Sequence, residues 1–176
     1  MFFDDEKNVE KLRAIIAEWE GTPYRHRCGV KNKGADCIHF VVKVLVELGV
    51  LTWRENLVPD YPRDWHLHNT RDLLLEHLAL RVPGALYLLA PLTEEKIIEV
   101  EVLTGKRIPR EVRDVSQLKN GDIVLMHYGH AASHAGIYLD SYLWQSLAGA
   151  GVCRIHISDR AQRRGLRYYY RVEGRR

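Results

Sequence analysis

The sequence predicts an α+β domain in which helices come first and a largely antiparallel sheet of about five strands follows. Three observations carry this. Apolar residues recur at helical spacing in the first twenty positions. A longer apolar run follows a Gly- and Asn-rich loop, and from residue 120 onward short strand-like runs alternate with turn residues. At 176 residues, one core suffices, and a single domain over 1–176 is expected, with an insertion at about 52–115 between the second helix and the sheet.

Asp4 and Asp5 can cap a first helix in which Val9, Leu12, Ile15, Ile16 and Trp19 share a face, and Gly21 ends it. The loop "GTPYRHRCGVKNKG" then leads to Asp36 and Cys37. From Cys37 to Leu48 apolar side chains occupy nearly every helical face, so this helix is central, with Asp36 as N-cap and Gly49 as its stop. "RDWHLHNTRDLLLEHLAL" reads as one helix capped by Asp64, with Leu73, Leu74 and Leu78 as its stripe, while "TEEKIIEVEVLTGKRI" fits helix or strand. Five strand-like runs close the chain: "DIVLMH", "HAGIYLD", "YLWQSL", "GVCRIHI" and "LRYYYRV". In the last, Leu166, Tyr168, Tyr170 and Val172 alternate with Arg167, Tyr169 and Arg171, the pattern of an edge or closing strand with one wet face. A polyanion-binding patch in "RRGLRYYYRVEGRR" is the alternative reading.

Composition excludes several classes. A net charge of +3 argues against a general nucleic-acid binder. No apolar run approaches the roughly 20 residues of a membrane span, and the acidic start "MFFDDEKN" is unlike a secretory signal. Cytoplasmic synthesis is therefore the expectation. Cys28, Cys37 and Cys153 cannot all pair with one another, so at least one thiol needs another explanation.

Cys37 is either a small hydrophobe at the head of a buried helix or a nucleophile, because the first helical position and its dipole favour thiolate. A nucleophile requires a base on a rigid element. His134, among the small residues Ala132, Ser133, Ala135 and Gly136, answers this. If Asp140-Ser141 is a two-residue hairpin loop, then Leu139 faces Tyr142, Tyr138 faces Leu143, Ile137 faces Trp144 and Gly136 faces Gln145. Gln145 then shares the face of His134 and can fix the imidazole tautomer, while Trp144 points into the core. His127, His130 and His134 form an H-x2-H-x3-H run, but no helix aligns them, so neither metal nor cofactor is expected. Cys28 reads as a loop thiol and Cys153 as a strand-core residue.

"GTPYRHRCGVKNKGADCIHFV", "NGDIVLM" and "HAGIYLD" together resemble the NlpC/P-sixty superfamily of papain-like cysteine peptidases, most of all its phage-tail-associated, cell-wall-degrading branch. The resemblance covers about residues 6 to 51 and 115 to 157. It implies a papain-like fold, a Cys-His-polar triad acting through a thioester, and hydrolysis of murein peptide amides such as D-glutamyl-diaminopimelate. Cys37 takes the nucleophile's place, His134 that of the base and Tyr24 that of a tyrosine shaping the oxyanion site. Asp36 and Ser133 beside them, with His26 and His39 flanking the cleft, are the candidate substrate-binding residues. A murein peptide or another amide is the implied substrate, and phage-tail proteins are candidate partners, with virion association the corresponding location.

Five departures stand against the family pattern, two of them in spacing: one extra residue separates Tyr24 from Cys37, and the interval from Cys37 to His134 is long. Gln145 replaces the usual histidine, His39 a glycine, and Cys28 a glycine or tryptophan. Two other readings follow: a catalytically silent binding or structural module, and a thiol acyltransferase of the kind that "DCIHFV" resembles, for which His26 would be the preceding histidine.

Overall fold

In the computed structural model, described for residues 1–55, 57–68 and 70–174 (for Trp65 and His66, backbone only), helices cover one face of a six-stranded antiparallel sheet. Helix α1 (Glu6–Trp19) begins at Asp5, whose carboxylate accepts from the Lys7 amide, and buries Val9, Leu12, Ile15, Ile16 and Trp19 as the spacing requires. The loop after it is pleated by a small hairpin, β1 (Gly29–Val30) and β2 (Gly34–Ala35), which hands the chain to Asp36. Gly34 is needed there, since a Cβ would lie 2.6 Å from that of Arg25.

Helix α2 (Cys37–Glu47) starts where Asp36 accepts from the His39 amide. It buries Ile38, Phe40, Val41, Val42, Val44 and Leu45 against the sheet and α1. Each such side chain stabilises the fold by about 1.5–3 kcal/mol, so truncating Phe40 would cost about 3–5 kcal/mol. Gly49, at φ +81°, turns the chain out of the helix as expected.

Residues 52 to 115 depart most from the sequence reading. The run expected as one helix is broken into α3 (Trp65–His68) and α4 (Leu73–Arg81), and Asn69 lies outside the described residues. The physical reason is Asp72, which is buried with its carboxylate turned away from the helix end to accept from the Ala132 amide at 2.6 Å, leaving its own cap without a side-chain bond. Lys96 Nζ, at 3.2 Å, neutralises it. The ambiguous run is helix α5 (Glu94–Thr104), capped by Thr93. Between α4 and α5 lies a strand that the five runs omit, β3 (Gly84–Leu88).

The other strands are β4 (Ile123–Tyr128), β5 (Ala131–Leu139), β6 (Tyr142–Leu147), β7 (Gly151–His156) and β8 (Leu166–Val172), with a short helix α6 (Arg160–Gly165) before the last. The sheet order is β3-β8-β4-β5-β6-β7. Strand β8 is therefore interior, not an edge, because β3 pairs with its outer side. Nor is its second face wet: Tyr169 is 1% exposed and stacks on Tyr87 at 4.8 Å, with Arg171 over both rings. Arg171 also pairs with Asp122 at 2.7 Å, so this arginine is engaged inside the fold. Arg175 and Arg176, the end of the basic cluster, lie outside the described residues.

The hairpin between β5 and β6 has the expected register, with Leu139, Tyr138 and Ile137 opposite Tyr142, Leu143 and Trp144. Asp140 and Ser141 both take positive φ, 51° and 68°, as a type I′ loop requires. The two sheet faces bury separate clusters. Leu125, Ala135, Ile137, Trp144, Tyr168 and Tyr170 meet the helices. Val124, Met126, Leu143, Leu166 and Tyr169 form a smaller cluster behind.

Candidate active site

Cys37 occupies the first position of α2 and is 8% exposed at the floor of a cavity of about 200 Å³. His134 lines the same cavity from β5. The histidine does not open its strand, as the run "HAGIYLD" suggests, but is its fourth residue, opposite Met126. The next pair along is His127 with Ala132, so Ser133 is the extra residue of a bulge. A bulge redirects side chains beside it, and here it stands immediately before His134.

Gln145 on β6 is completely buried, and its Oε1 lies 2.7 Å from His134 Nε2. An amide oxygen only accepts, so Nε2 donates and Nδ1 is the nitrogen left with a lone pair for a thiol proton. Tyr128 closes the other flank of the imidazole, edge-on at 5.6 Å between ring centres.

Burial dominates the electrostatics. It pushes the Cys37 thiol up to about 12, and the adjacent Asp36 carboxylate adds to this, against hydrogen bonds from the amides of Ala135, Ile38 and Cys37. Burial also pushes the His134 imidazole down to about 4, against the Gln145 hydrogen bond. The resting pair is thus a neutral thiol and a neutral imidazole, whereas helix-dipole reasoning from the sequence favours thiolate. Desolvation and a buried carboxylate one residue away outweigh the dipole.

Asp36 is 1% exposed and does structural work. Its Oδ1 accepts from the His39 amide at 2.9 Å and meets His39 Nδ1 at 2.8 Å. Its Oδ2 accepts from the Arg27 amide at 2.7 Å and the Tyr61 hydroxyl at 3.1 Å. Burial alone would raise this carboxyl, but the bonds from His39 and Arg27 hold it below the ordinary aspartate value. With both oxygens engaged by the protein, it orients the loop and α2.

Of the remaining candidates, Tyr24, His26 and Ser133 line the cavity and His39 does not, being turned behind Asp36 against Gly29. Tyr24 is held to the nucleophile loop by a bridge to Ala35. Burial and the neighbouring Cys37 and Asp36 raise its phenol, so it remains a neutral O–H donor. The Ser133 hydroxyl donates to the Tyr128 carbonyl at 3.0 Å. In the H-x2-H-x3-H run, His127 turns to Asp72, with Nε2 at 3.3 Å, and His134 to Gln145. Cys28, Cys37 and Cys153 are free thiols, and Cys153 is half-buried where the sequence reading puts it in the strand core; Val152 beside it takes the buried position.

Sequence reasoning missed six residues of the cleft lining: Tyr128, Ser146, Leu147 and Ala148 from the sheet side, and Tyr61 and Arg63, the last two both from the segment after α2. The one local signal for Tyr61 and Arg63 is the proline-bounded "PDYPRDW", which reads as loop and carries no spacing that points to a site. A larger hollow of about 440 Å³, bounded by Val50, Leu51, Arg54 and Arg81, contains neither Cys37 nor His134.

A cysteine heading a buried helix, packed on an antiparallel sheet that presents an oriented histidine, is the layout of the papain-like thiol fold. The NlpC/P60 family model matches residues 21–159, and the chain belongs to that family. Members are generally cysteine peptidases or amidases acting on peptidoglycan. Among solved structures, the chain resembles an NLP/P60-family protein described as similar to lipoprotein from Staphylococcus aureus (16% identity, TM-score 0.54, 96% of this chain and 42% of that one). It also resembles an NlpC/P60-family protein from Bacillus cereus (15%, 0.53, 93% and 40%). A third is the NlpC/p60 domain of the peptidoglycan hydrolase SagA (16%, 0.51, 93% and 98%). The chain thus spans about two fifths of the length of the first two. At these identities the likeness concerns the fold. No curated protein matches the chain. Among the described residues, no helix is long and apolar enough to cross a membrane.

Proposed function

We propose that this protein is a cysteine peptidase or amidase that cleaves a peptide amide of murein, with D-glutamyl-diaminopimelate as the leading bond. The observation that carries this is the Gln145-oriented His134 sharing one cavity with Cys37. As the Cys37 sulfur attacks the amide carbonyl, its proton passes to His134 Nδ1. The oxyanion is met by the Cys37 amide and the Tyr24 hydroxyl. The imidazolium protonates the leaving amine, the C–N bond breaks, and a thioester remains. Water, deprotonated by His134, then hydrolyses the thioester and restores the thiol.

Gln145 orients the ring without a charge, so imidazolium stabilisation falls to the hydrogen bond alone. Residues 57–63 add Tyr61 and Arg63 to the cleft wall, the sense in which the segment 52–115 reshapes the substrate site within one domain. The resemblance of the three sequence segments to the phage-tail-associated branch is the ground for a virion-borne role, the corresponding proposal.

The test is digestion of purified murein peptides with wild type and Cys37→Ala, read by mass spectrometry. Hydrolysis by wild type alone supports the reading. Binding of murein without cleavage by either protein identifies a silent binding module, and transfer of the acyl group to an added amine in place of water identifies an acyltransferase.

A further inference from the structure

The cleft wall built by residues 57–63 is anchored at several points. The Tyr61 hydroxyl donates to Asp36, and its carbonyl meets His26 Nε2 at 3.2 Å. The His26 and Tyr61 rings pack edge to face at 5.2 Å. Arg27 pairs with Asp60. Two residues past Tyr61, and beyond the stiff Pro62, Arg63 lines the cavity with its guanidinium 5.8 Å from the centre of the Tyr24 ring.

The charges around the cavity are uneven. Asp36 has no acceptor capacity left, since its oxygens take the bonds of Arg27, His39 and Tyr61. It therefore cannot bind a substrate amine. Arg27 is paired, whereas no carboxylate pairs with Arg63 among the described residues. A guanidinium beside a tyrosine ring, with no carboxylate partner, keeps its planar N–H fork free, and that fork fits a carboxylate in two parallel hydrogen bonds.

We propose that Arg63 is the specificity-determining residue of this cleft and selects peptides bearing a free carboxylate next to the amide that is cut. This deepens the murein-peptide reading and rests on it for the identity of the cut amide. The segment after α2 acts as a carboxylate reader, and the Tyr24 ring beneath Arg63 couples that contact to the oxyanion site.

The experiment compares L-alanyl-γ-D-glutamyl-diaminopimelate with the same peptide whose glutamyl α-carboxylate is a carboxamide. Turnover is measured with wild type, Arg63→Gln and Arg63→Lys, and binding is measured by calorimetry in a Cys37→Ala background. Wild type is expected to favour the carboxylate roughly 10- to 100-fold in kcat/KM, the ratio falling to near one in Arg63→Gln and to an intermediate value in Arg63→Lys. Calorimetry should show the same ordering. A preference unchanged by Arg63→Gln, or a wild type indifferent to the carboxylate, overturns the proposal and leaves the peptidase reading intact if cleavage occurs. Arg63-dependent binding without cleavage sustains the carboxylate site and overturns the peptidase reading. Absence of both binding and cleavage overturns both.

Discussion

Gln145 Oε1 and His134 Nε2 are 2.7 Å apart across the β5–β6 hairpin, with the glutamine wholly buried. This one hydrogen bond assigns the two imidazole nitrogens their roles. Gln145→Ala should therefore lower kcat by about 10- to 100-fold with a smaller change in KM, because the ring is freed to turn while the cavity stays open. Steady-state kinetics on a murein peptide checks it, and an unchanged kcat would refute the orienting role.

The depressed His134 value sets the acid side of the pH profile. A base must be unprotonated to accept the thiol proton, so kcat/KM should hold down to mildly acidic pH and fall as pH drops through about 4. Gln145→Glu places a carboxylate against the ring, favours imidazolium and should move this limb to higher pH. A limb that stays fixed between the two proteins would contradict the assignment.

The raised Cys37 value makes a statement about reactivity. With the thiol pushed up to about 12, alkylation by iodoacetamide should keep accelerating through pH 9, as thiolate accumulates. Peptide mass spectrometry against pH decides it. A plateau between pH 5 and 8, abolished in His134→Ala, would instead mean a preformed thiolate-imidazolium pair.

The same burial links His134 to stability. Its ordinary value of 6.5 applies in the unfolded chain and about 4 in the folded one, so between these values the unfolded state binds more protons. Stability should therefore fall as pH is lowered from 6.5 to 4, by up to about 3 kcal/mol from this group. Asp36 and Asp72, both held below the ordinary aspartate value, lose their contribution only at lower pH. Urea denaturation across that window should be flatter for His134→Gln than for wild type.

Asp72 ties α4 to β5, and removing it takes the acceptor from the Ala132 amide and the Tyr168 hydroxyl and one of two carboxylates from Lys96, which keeps Glu99. Asp72→Ala should destabilise the protein by about 3–5 kcal/mol, the range for breaking a buried ion pair. Because Ala132 adjoins the bulge before His134, kcat should fall as well. Denaturation midpoints and kinetics together test this, and a loss under 1 kcal/mol would mean that the anchor is dispensable.

The first helix, the nucleophile helix and the β5–β6 hairpin were legible because their signals are local. Val9, Leu12, Ile15 and Ile16 fix a helical face by period, Asp36 caps the turn that follows it, and Asp140-Ser141 fixes a two-residue loop from which register can be counted. That count alone puts Gln145 and His134 on one face. The reading failed where a long-range partner overrode a local preference. Asp72 left its helix end for Ala132, and β3 paired with β8, converting an apparent edge strand into an interior one.

By itself, then, the sequence determined the first two helices, the β5–β6 hairpin, the place of Cys37 at a helix head and of His134 on a strand, and the family resemblance, since periodicity, capping and motif order are properties of neighbouring residues. Tertiary structure alone decided that Tyr61 and Arg63 enter the cleft, that His39 turns behind Asp36, and that the thiol and imidazole rest uncharged. These depend on burial and on contacts between distant segments, and desolvation has no signature in a linear pattern.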